Sequence, residues 1–342
     1  MLKYILKRLI FALLTVFIVV SILFVLIHVK HESNWIYGTF IPNDSFLYKD
    51  PLPVQFFNYW KGIITRFDFG VCTTRGPLYM YVTKYMAMKL PVTLLLNAGA
   101  ILVSFLGIPL GILAACNKNK WPDYVINVLA MIFFSIPLIV AGFLFQYVFG
   151  YILQIFPVTY PHSVGLFSRE SITGLIPAML ALGMAPAGIY IRSMYSGLTE
   201  TLTSDHMLLA KVKGLNRKQT IIRHGIRNSF IAVLPDMYAN TAFVVLNTII
   251  IELIFAIPGA GVAYLRSYFY GDYINMVDPF LIPDGIPAWI WEILETPVDY
   301  DVFLGFSFFF VSYAIILGFL LDISYCIIDP RIRIGANKNN TY

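Results

Sequence analysis

The chain has 342 residues, of which 58% are hydrophobic and only 13% charged, and its mean hydropathy is +0.74. A soluble globular domain carries about 25% charged residues, so this chain cannot cover its own surface in water, which excludes a soluble enzyme, a disordered chain and a disulfide-stapled secreted module. The formal net charge of +5 is mild, so the placement of the basic residues matters more than their sum.

A bilayer core about 30 Å thick requires about 20 apolar residues at about 1.5 Å each. Leu9 to Val29 meets this requirement without an internal charge, directly after Lys3, Lys7 and Arg8. A cleavable signal peptide also has a basic start and an apolar run. This run is too long for one, and Lys30-His31-Glu32 is no small-residue cleavage site, so it reads as a retained helix. Five more spans follow at Val92 to Ala115, Tyr124 to Leu153, Ile172 to Tyr195, Phe230 to Ala256 and Val302 to Ile328. Pro109, Pro137, Pro177 and Pro186 fall inside or near the ends of these runs. Membrane bundles tolerate such prolines because neighbouring helices satisfy the freed carbonyls. The expectation is an all-α integral membrane protein of six transmembrane helices, both termini on one side, with a long external segment after the first helix.

Lysine and arginine set the orientation. They gather at the N-terminus, in the second-to-third connection (Lys118, Lys120), in the fourth-to-fifth (Arg192 to Arg227) and in the tail (Arg331, Arg333, Lys338). The third-to-fourth and fifth-to-sixth connections offer only Arg169 and Arg266. The positive-inside rule then puts both termini in the cytoplasm of a multi-pass protein of the cell membrane. The connection from His31 to about Pro91 also holds basic residues, but segments of that length translocate largely regardless of charge.

The fourth-to-fifth connection is the most informative stretch. Leu208, Val212 and Leu215 recur at one helix face. Ser204 or Asp205 is placed to cap the start, and Gly214 to supply the left-handed residue that ends it. Asn216 followed by Gln219 has the spacing of a capping box opening a second helix, which carries a basic face and, on another, Ile222 and Ile226. A solvated basic loop explains the charge but not the apolar periodicity. A DNA-binding helix-turn-helix has little room to reach a groove between two spans, and no nucleic-acid partner is expected. A helix presented to a groove on a cytoplasmic partner fits both stripe and tether.

These residues carry a resemblance. Ala210-Lys-Val-Lys-Gly214-Leu215 followed by Arg223-His-Gly-Ile-Arg-Asn228 resembles the cytoplasmic "EAA" region of ABC-transporter permeases of the dipeptide/oligopeptide/nickel branch. Pro51-Leu-Pro-Val-Gln55 and Asp68-Phe-Gly70 resemble the branch's first external segment, and Leu90-Pro-Val-Thr93 with Gly107-Ile-Pro-Leu-Gly111 its second span. Ser135-Ile-Pro137, Ile176-Pro-Ala178, Arg192-Ser193, Glu252 through Pro258-Gly-Ala-Gly261 and Asp329-Pro-Arg-Ile-Arg333 are similar to the remaining landmarks, in order. The chain is most like the first permease of an oligopeptide import system. The resemblance implies half of a translocation pathway for peptides, shared with a second homologous permease, powered by two cytoplasmic ATPase subunits and fed by an external substrate-binding protein. It implies ATPase coupling through Asp205, Leu208, Leu209, Ala210, Lys211, Val212, Lys213, Gly214, Leu215, Arg223, His224, Arg227 and Asn228. No catalytic residue, metal site or bound cofactor is expected here, since no phosphate-binding GxxxxGK[ST] motif is present; ATP and Mg belong to the partner subunits. The implied division is a first helix (1–30), an external segment (31–91), a five-helix core (92–328) with a coupling region (199–228) and an external insertion (about 267–301), and a cytoplasmic tail (329–342).

Relatives commonly show Ala-Arg-Ala-Lys-Gly and Asp-Tyr where this chain has Ala210-Lys-Val-Lys-Gly214 and Asp205-His206. The insertion holds Asp272, Asp278, Asp284, Glu292, Glu295, Asp299 and Asp301 beside Trp289 and Trp291. It reads equally as a solvated loop at the headgroups or as a docking surface for the binding protein. Among carboxylates in or near spans, Glu252 is expected near the outer end, and Asp322 in a structural pairing with Arg331 or Arg333. His28 and His31 read as an interfacial polar pair, and Gly107-x-x-x-Gly111 as a place of close helix approach. The alternatives are a permease of the same branch for nickel or another small solute, and an ion-gradient-driven secondary transporter, which would need buried charge pairs or inverted repeats.

Overall fold

The computed structural model describes residues 2–34, 51–72, 80–161, 165–212, 214–269 and 299–328. They are almost wholly helical: α1 (Leu2–Asn34), α2 (Leu52–Arg66), α3 (Val82–Phe105), α4 (Gly107–Cys116), α5 (Trp121–Ser135), α6 (Leu138–Phe145), α7 (Arg169–Leu202), α8 (Asp205–Val212), α9 (Arg217–Thr220), α10 (Arg227–Ile254), α11 (Ala260–Phe269) and α12 (Tyr300–Ile328). A two-strand antiparallel pair, β1 (Val71–Cys72) and β2 (Met80–Tyr81), interrupts them. Among the described residues five helical stretches are long and apolar enough to cross a membrane, and α5 with α6 makes a sixth if the bent pair is one span.

Prolines decide where the spans break. Pro109 has no N–H to offer the carbonyl of Phe105, and Leu106 alone separates α3 from α4 within the stretch Val82–Cys116, which is long enough to be one span. Pro137 acts through its neighbour: Ile136 takes ψ 120°, the extended conformation that a following proline imposes. The expected span from Tyr124 to Leu153, which holds Pro137, is accordingly two helices bent by 107°. Pro91, Pro177, Pro186 and Pro235 lie inside helices that stay continuous.

The chain forms two compact units, one of Met1–Ile10, Leu94–Ile257 and Ala314–Tyr342, the other of Phe11–Thr93 and Pro258–Tyr313. In the first, α7 is the most buried span and the hub. Glycines admit its neighbours: a Cβ on Gly107 would stand 2.2 Å from the carbonyl oxygen of Ala187, and one on Gly111 2.6 Å from that of Ile191. The close approach read from Gly107-x-x-x-Gly111 is thus the α4–α7 contact. Tyr190, Met194 and Leu198 of α7 pack with Val233, Leu234 and Met237 of α10. Across the bundle Thr248 of α10 donates to the Asn97 side chain of α3. Gln146 donates to the carbonyls of Val158 (2.9 Å) and Ile254 (3.1 Å), tying the segment after α6 to the end of α10. Asp322 pairs with Arg8 at 2.9 Å. The structural pairing expected of Asp322 is thus present, with a partner at the start of α1, more than 300 residues away; Arg331 and Arg333 lie outside the described residues.

In the second unit, Phe17 and Phe24 of α1 pack against Phe56, Tyr59 and Trp60 of α2. Burial, with Asp301 adding to it, pushes the Tyr59 hydroxyl above the usual tyrosine range. Gly70 adopts φ +93°, its N–H donating to Asp68 at 3.0 Å. A Cβ there would stand 2.5 Å from the carboxylate of Asp301, which accepts from the Val71 N–H at 3.3 Å. Asp299 caps α12, accepting from the Val302 N–H at 3.2 Å, and both aspartates are buried. These two acids of the insertion are therefore not part of a solvated or docking surface. The other five, with Trp289 and Trp291, lie outside the described residues. Thr93 accepts from the N–H of Ala260 at 2.7 Å, joining Leu90-Pro-Val-Thr93 to Pro258-Gly-Ala-Gly261.

Candidate coupling surface

The helix pair between α7 and α10 is built outward from a buried root. Ser229 of α10 donates to the Thr201 hydroxyl at 3.1 Å and to the Gly225 carbonyl at 2.8 Å. A Cβ on Gly197 would touch the Ser229 carbonyl at 3.1 Å, so the end of α7 and the start of α10 nearly meet backbone to backbone. After α7, Thr203 and Ser204 turn the chain, their N–H groups donating to Glu200 and Thr201 at 3.2 and 3.1 Å. The Met207 N–H then donates to Ser204 at 3.0 Å, opening α8. Met207 is fully buried, close to Gly225 and Leu198.

Gly214 has φ +81° and open space around it, the left-handed turn expected at the end of α8. Asn216 and Gln219 cap each other as their spacing suggested: the Gln219 N–H donates to the Asn216 side chain at 2.8 Å, and the Asn216 N–H to the Gln219 side chain at 3.2 Å. The second helix does not stop. It runs from α9 through a π-helical stretch (Ile221–Ile226) into α10, so Lys218–Ile254 is one unbroken helix.

Among the residues singled out from sequence, Asp205, Leu209, Val212, Gly214, Arg223, His224, Arg227 and Asn228 are exposed, and Leu215 is half-buried. Leu209 and Val212 expose 60% and 87% of their surface, an unusual display for aliphatic side chains on one short helix. Leu208, Ala210 and Lys211 lie on α8, but their side chains, like Lys213, fall outside the described residues. Ile222 is exposed, whereas Ile226 turns inward onto the Met194–Leu198 cluster. Sequence reasoning missed Met207, Thr201 and Ser229. Only the small residues Gly197 and Gly225 hinted that the root is closely packed, and they lie on different helices. Among the described residues no group of three or more histidines, cysteines or acids could hold a metal. The site offers an apolar knob on a stiff arm, with basic side chains beside it.

Residues 107–334 match the family described as the binding-protein-dependent transport system inner membrane component. The chain belongs to that family. The match begins at α4 and takes in α7, the helix pair and α10. An inner membrane component of this family is a transport protein, not an enzyme, and a multi-pass membrane protein. Similar chains include a dipeptide transport system permease protein of Lactococcus lactis subsp. cremoris, 29% identical over 98% of this chain and 100% of its own. One of the same description from Bacillus subtilis is 30% identical over 83% of this chain and 80% of its own. A glutathione transport system permease protein of Salmonella choleraesuis is 28% identical over 97% and 99%. The resemblance drawn from the sequence motifs thus holds, along the whole chain.

Proposed function

We propose that this inner membrane component is the permease subunit of an ATP-driven peptide importer, paired with a second, homologous permease. An external binding protein delivers the peptide, and two ATPase subunits dock beneath α8, whose apolar tip inserts into an ATPase groove. Both termini and the helix pair then lie in the cytoplasm, while segment 31–91 and the insertion at about 267–301 lie outside. This chain binds no nucleotide; ATP and Mg reside on the ATPases. Coupling rests on Asp205 to Leu215 with Arg223, His224, Arg227 and Asn228. The observation that carries the reading is Val212, almost fully exposed at the end of a helix whose root is locked by Met207, Thr201 and Ser229. Exposed aliphatic side chains on a rigid arm need a partner to cover them. Peptide cargo is supported by the relatives, which are named for dipeptides and glutathione.

Cysteine at Val212 in a chain cleared of Cys72, Cys116 and Cys326 tests the reading in intact cells. Disulfide or maleimide crosslinks from Val212→Cys are expected to capture a nucleotide-hydrolysing subunit, and crosslinking is expected to stop ATP-dependent peptide uptake. Crosslinks that never reach an ATPase, or uptake that survives loss of the ATPases and collapses with an ionophore, would refute it.

A further inference from the structure

Asp236 is a carboxylate inside the fifth span, about 27 Å along α10 from its end at Ile254 at about 1.5 Å per residue. Ser193 of α7 donates its hydroxyl to it. No lysine, arginine or histidine among the described residues forms an ion pair with Asp236, in contrast to Asp322, which holds Arg8. A carboxylate in a span is expensive against lipid and is retained where it meets a cation, a polar cavity or a partner. Asp236 is half-buried, so one side of it opens away from its own bundle.

That side belongs to a defined face. From Ala181 to Met194 of α7 only Ala185, Ile189, Arg192 and Ser193 escape burial, and their spacing puts them on one stripe. On α10, Ala232 one turn before Asp236 and Ala239 one turn after it are exposed, while Val233 and Asn240 on its other flank are buried, so Asp236 stands at the edge of the open face. Over this stretch the hub helix therefore leaves a single open stripe, and it carries a guanidinium and the hydroxyl that orients a carboxylate. Opposite charges on one open face of small residues suit a zwitterionic solute and do not suit hydrocarbon.

We propose that the Ser193–Asp236 pair lines the translocation pathway near its inner mouth and receives a positively charged group of the passing peptide, its terminal ammonium or a lysine side chain. This rests on the peptide-importer reading above. Ser193 is a positioning residue: its hydroxyl fixes the rotamer of Asp236 and leaves the outward oxygen for the solute. Arg192 beside it offers the complementary charge to the peptide's carboxylate end. Removing the Asp236 charge takes an attraction from cationic peptides and a repulsion from anionic ones, so selectivity changes and not only rate.

The test uses the complete importer in proteoliposomes, with ATP inside and radiolabelled alanyl-lysyl-alanine or alanyl-glutamyl-alanine supplied with the binding protein. In Asp236→Asn the lysyl-to-glutamyl uptake ratio is expected to fall by about tenfold, the scale of one charge-assisted hydrogen bond. Asp236→Glu should hold the wild-type ratio, and Ser193→Ala should lower it partway. Should Asp236→Asn fail to assemble, the Ser193→Ala ratio decides. An unchanged ratio in the assembled variant overturns the inference, as does an equal loss for both peptides that Asp236→Glu does not repair. Both outcomes leave the importer reading standing. A wild-type assembly that takes up neither peptide overturns both.

Discussion

Gly107→Ala adds one methyl group where α4 comes closest to the backbone of α7. The new Cβ would lie 2.2 Å from the Ala187 carbonyl oxygen and 3.1 Å from its Cα, against the 3.4 Å at which ordinary contact begins. The obstacle is backbone of the hub helix, which cannot swing aside as a side chain would, so α4 must retreat by roughly 1 Å. Overpacking of this kind costs about 1–3 kcal/mol, and the upper part of that range applies where backbone meets backbone. Alanine returns about 1 kcal/mol of helix propensity. The net expectation is a loss of about 2 kcal/mol, or a fall of a few °C in the melting temperature. Gly165→Ala is the control: nothing lies within 4 Å of its Cβ position and its φ is not left-handed, so a neutral change or a gain of about 0.4–1 kcal/mol is expected. Thermal unfolding in detergent, followed by the monodisperse fraction after heating, reads both. A Gly107→Ala chain as stable as wild type, or a Gly165→Ala chain equally damaged, would refute the claim that glycine at 107 exists to admit the Ala187 backbone.

The Arg8–Asp322 pair is partly exposed, with 47% and 21% of the two side chains accessible, so Arg8→Ala is expected to lower stability by only about 1 kcal/mol. A double-mutant cycle with Asp322→Asn should show the two losses overlapping; strictly additive losses would mean the pair contributes nothing. Asp299→Ala removes the side chain that caps α12 and should destabilise by about 1 kcal/mol. Hydrogen exchange at Val302 and Phe303 should rise in that variant, and unaltered exchange there would count against the cap.

Some of this molecule is written along the chain. The charge-free run from Leu9 to Val29, the glycine at 214 and the Asn216–Gln219 spacing act over a few residues, and local rules predict each of them. The break at Pro137 was visible as a residue type, yet its consequence was not. A proline constrains the residue before it, but whether the helix continues unbroken, as through Pro186, or turns through 107° depends on what packs around the freed carbonyls. The basic helix pair was legible for the same local reason. Its buried root at Met207 was not, because Met207 finds Gly225 and Leu198 on two other helices.

Charge in the spans divides the same way. That Asp236 and Asp322 are costly in hydrocarbon follows from the residues alone. That one pairs with Arg8 while the other accepts from the Ser193 hydroxyl depends on which helices the bundle brings side by side. Asp299 and Asp301 make the point most sharply, since composition placed them in an acidic external loop and packing buried them against Ser267, Gly70 and Val71. The amino-acid order by itself determined the apolar surroundings this protein needs, the apolar lengths that can cross them and the turn and cap at Gly214 and Asn216, since hydrophobic length and backbone chemistry act locally. Partners for its buried polar groups were decided only by the tertiary structure, because a hydrogen bond or an ion pair reads distance in space, and helix packing sets that distance.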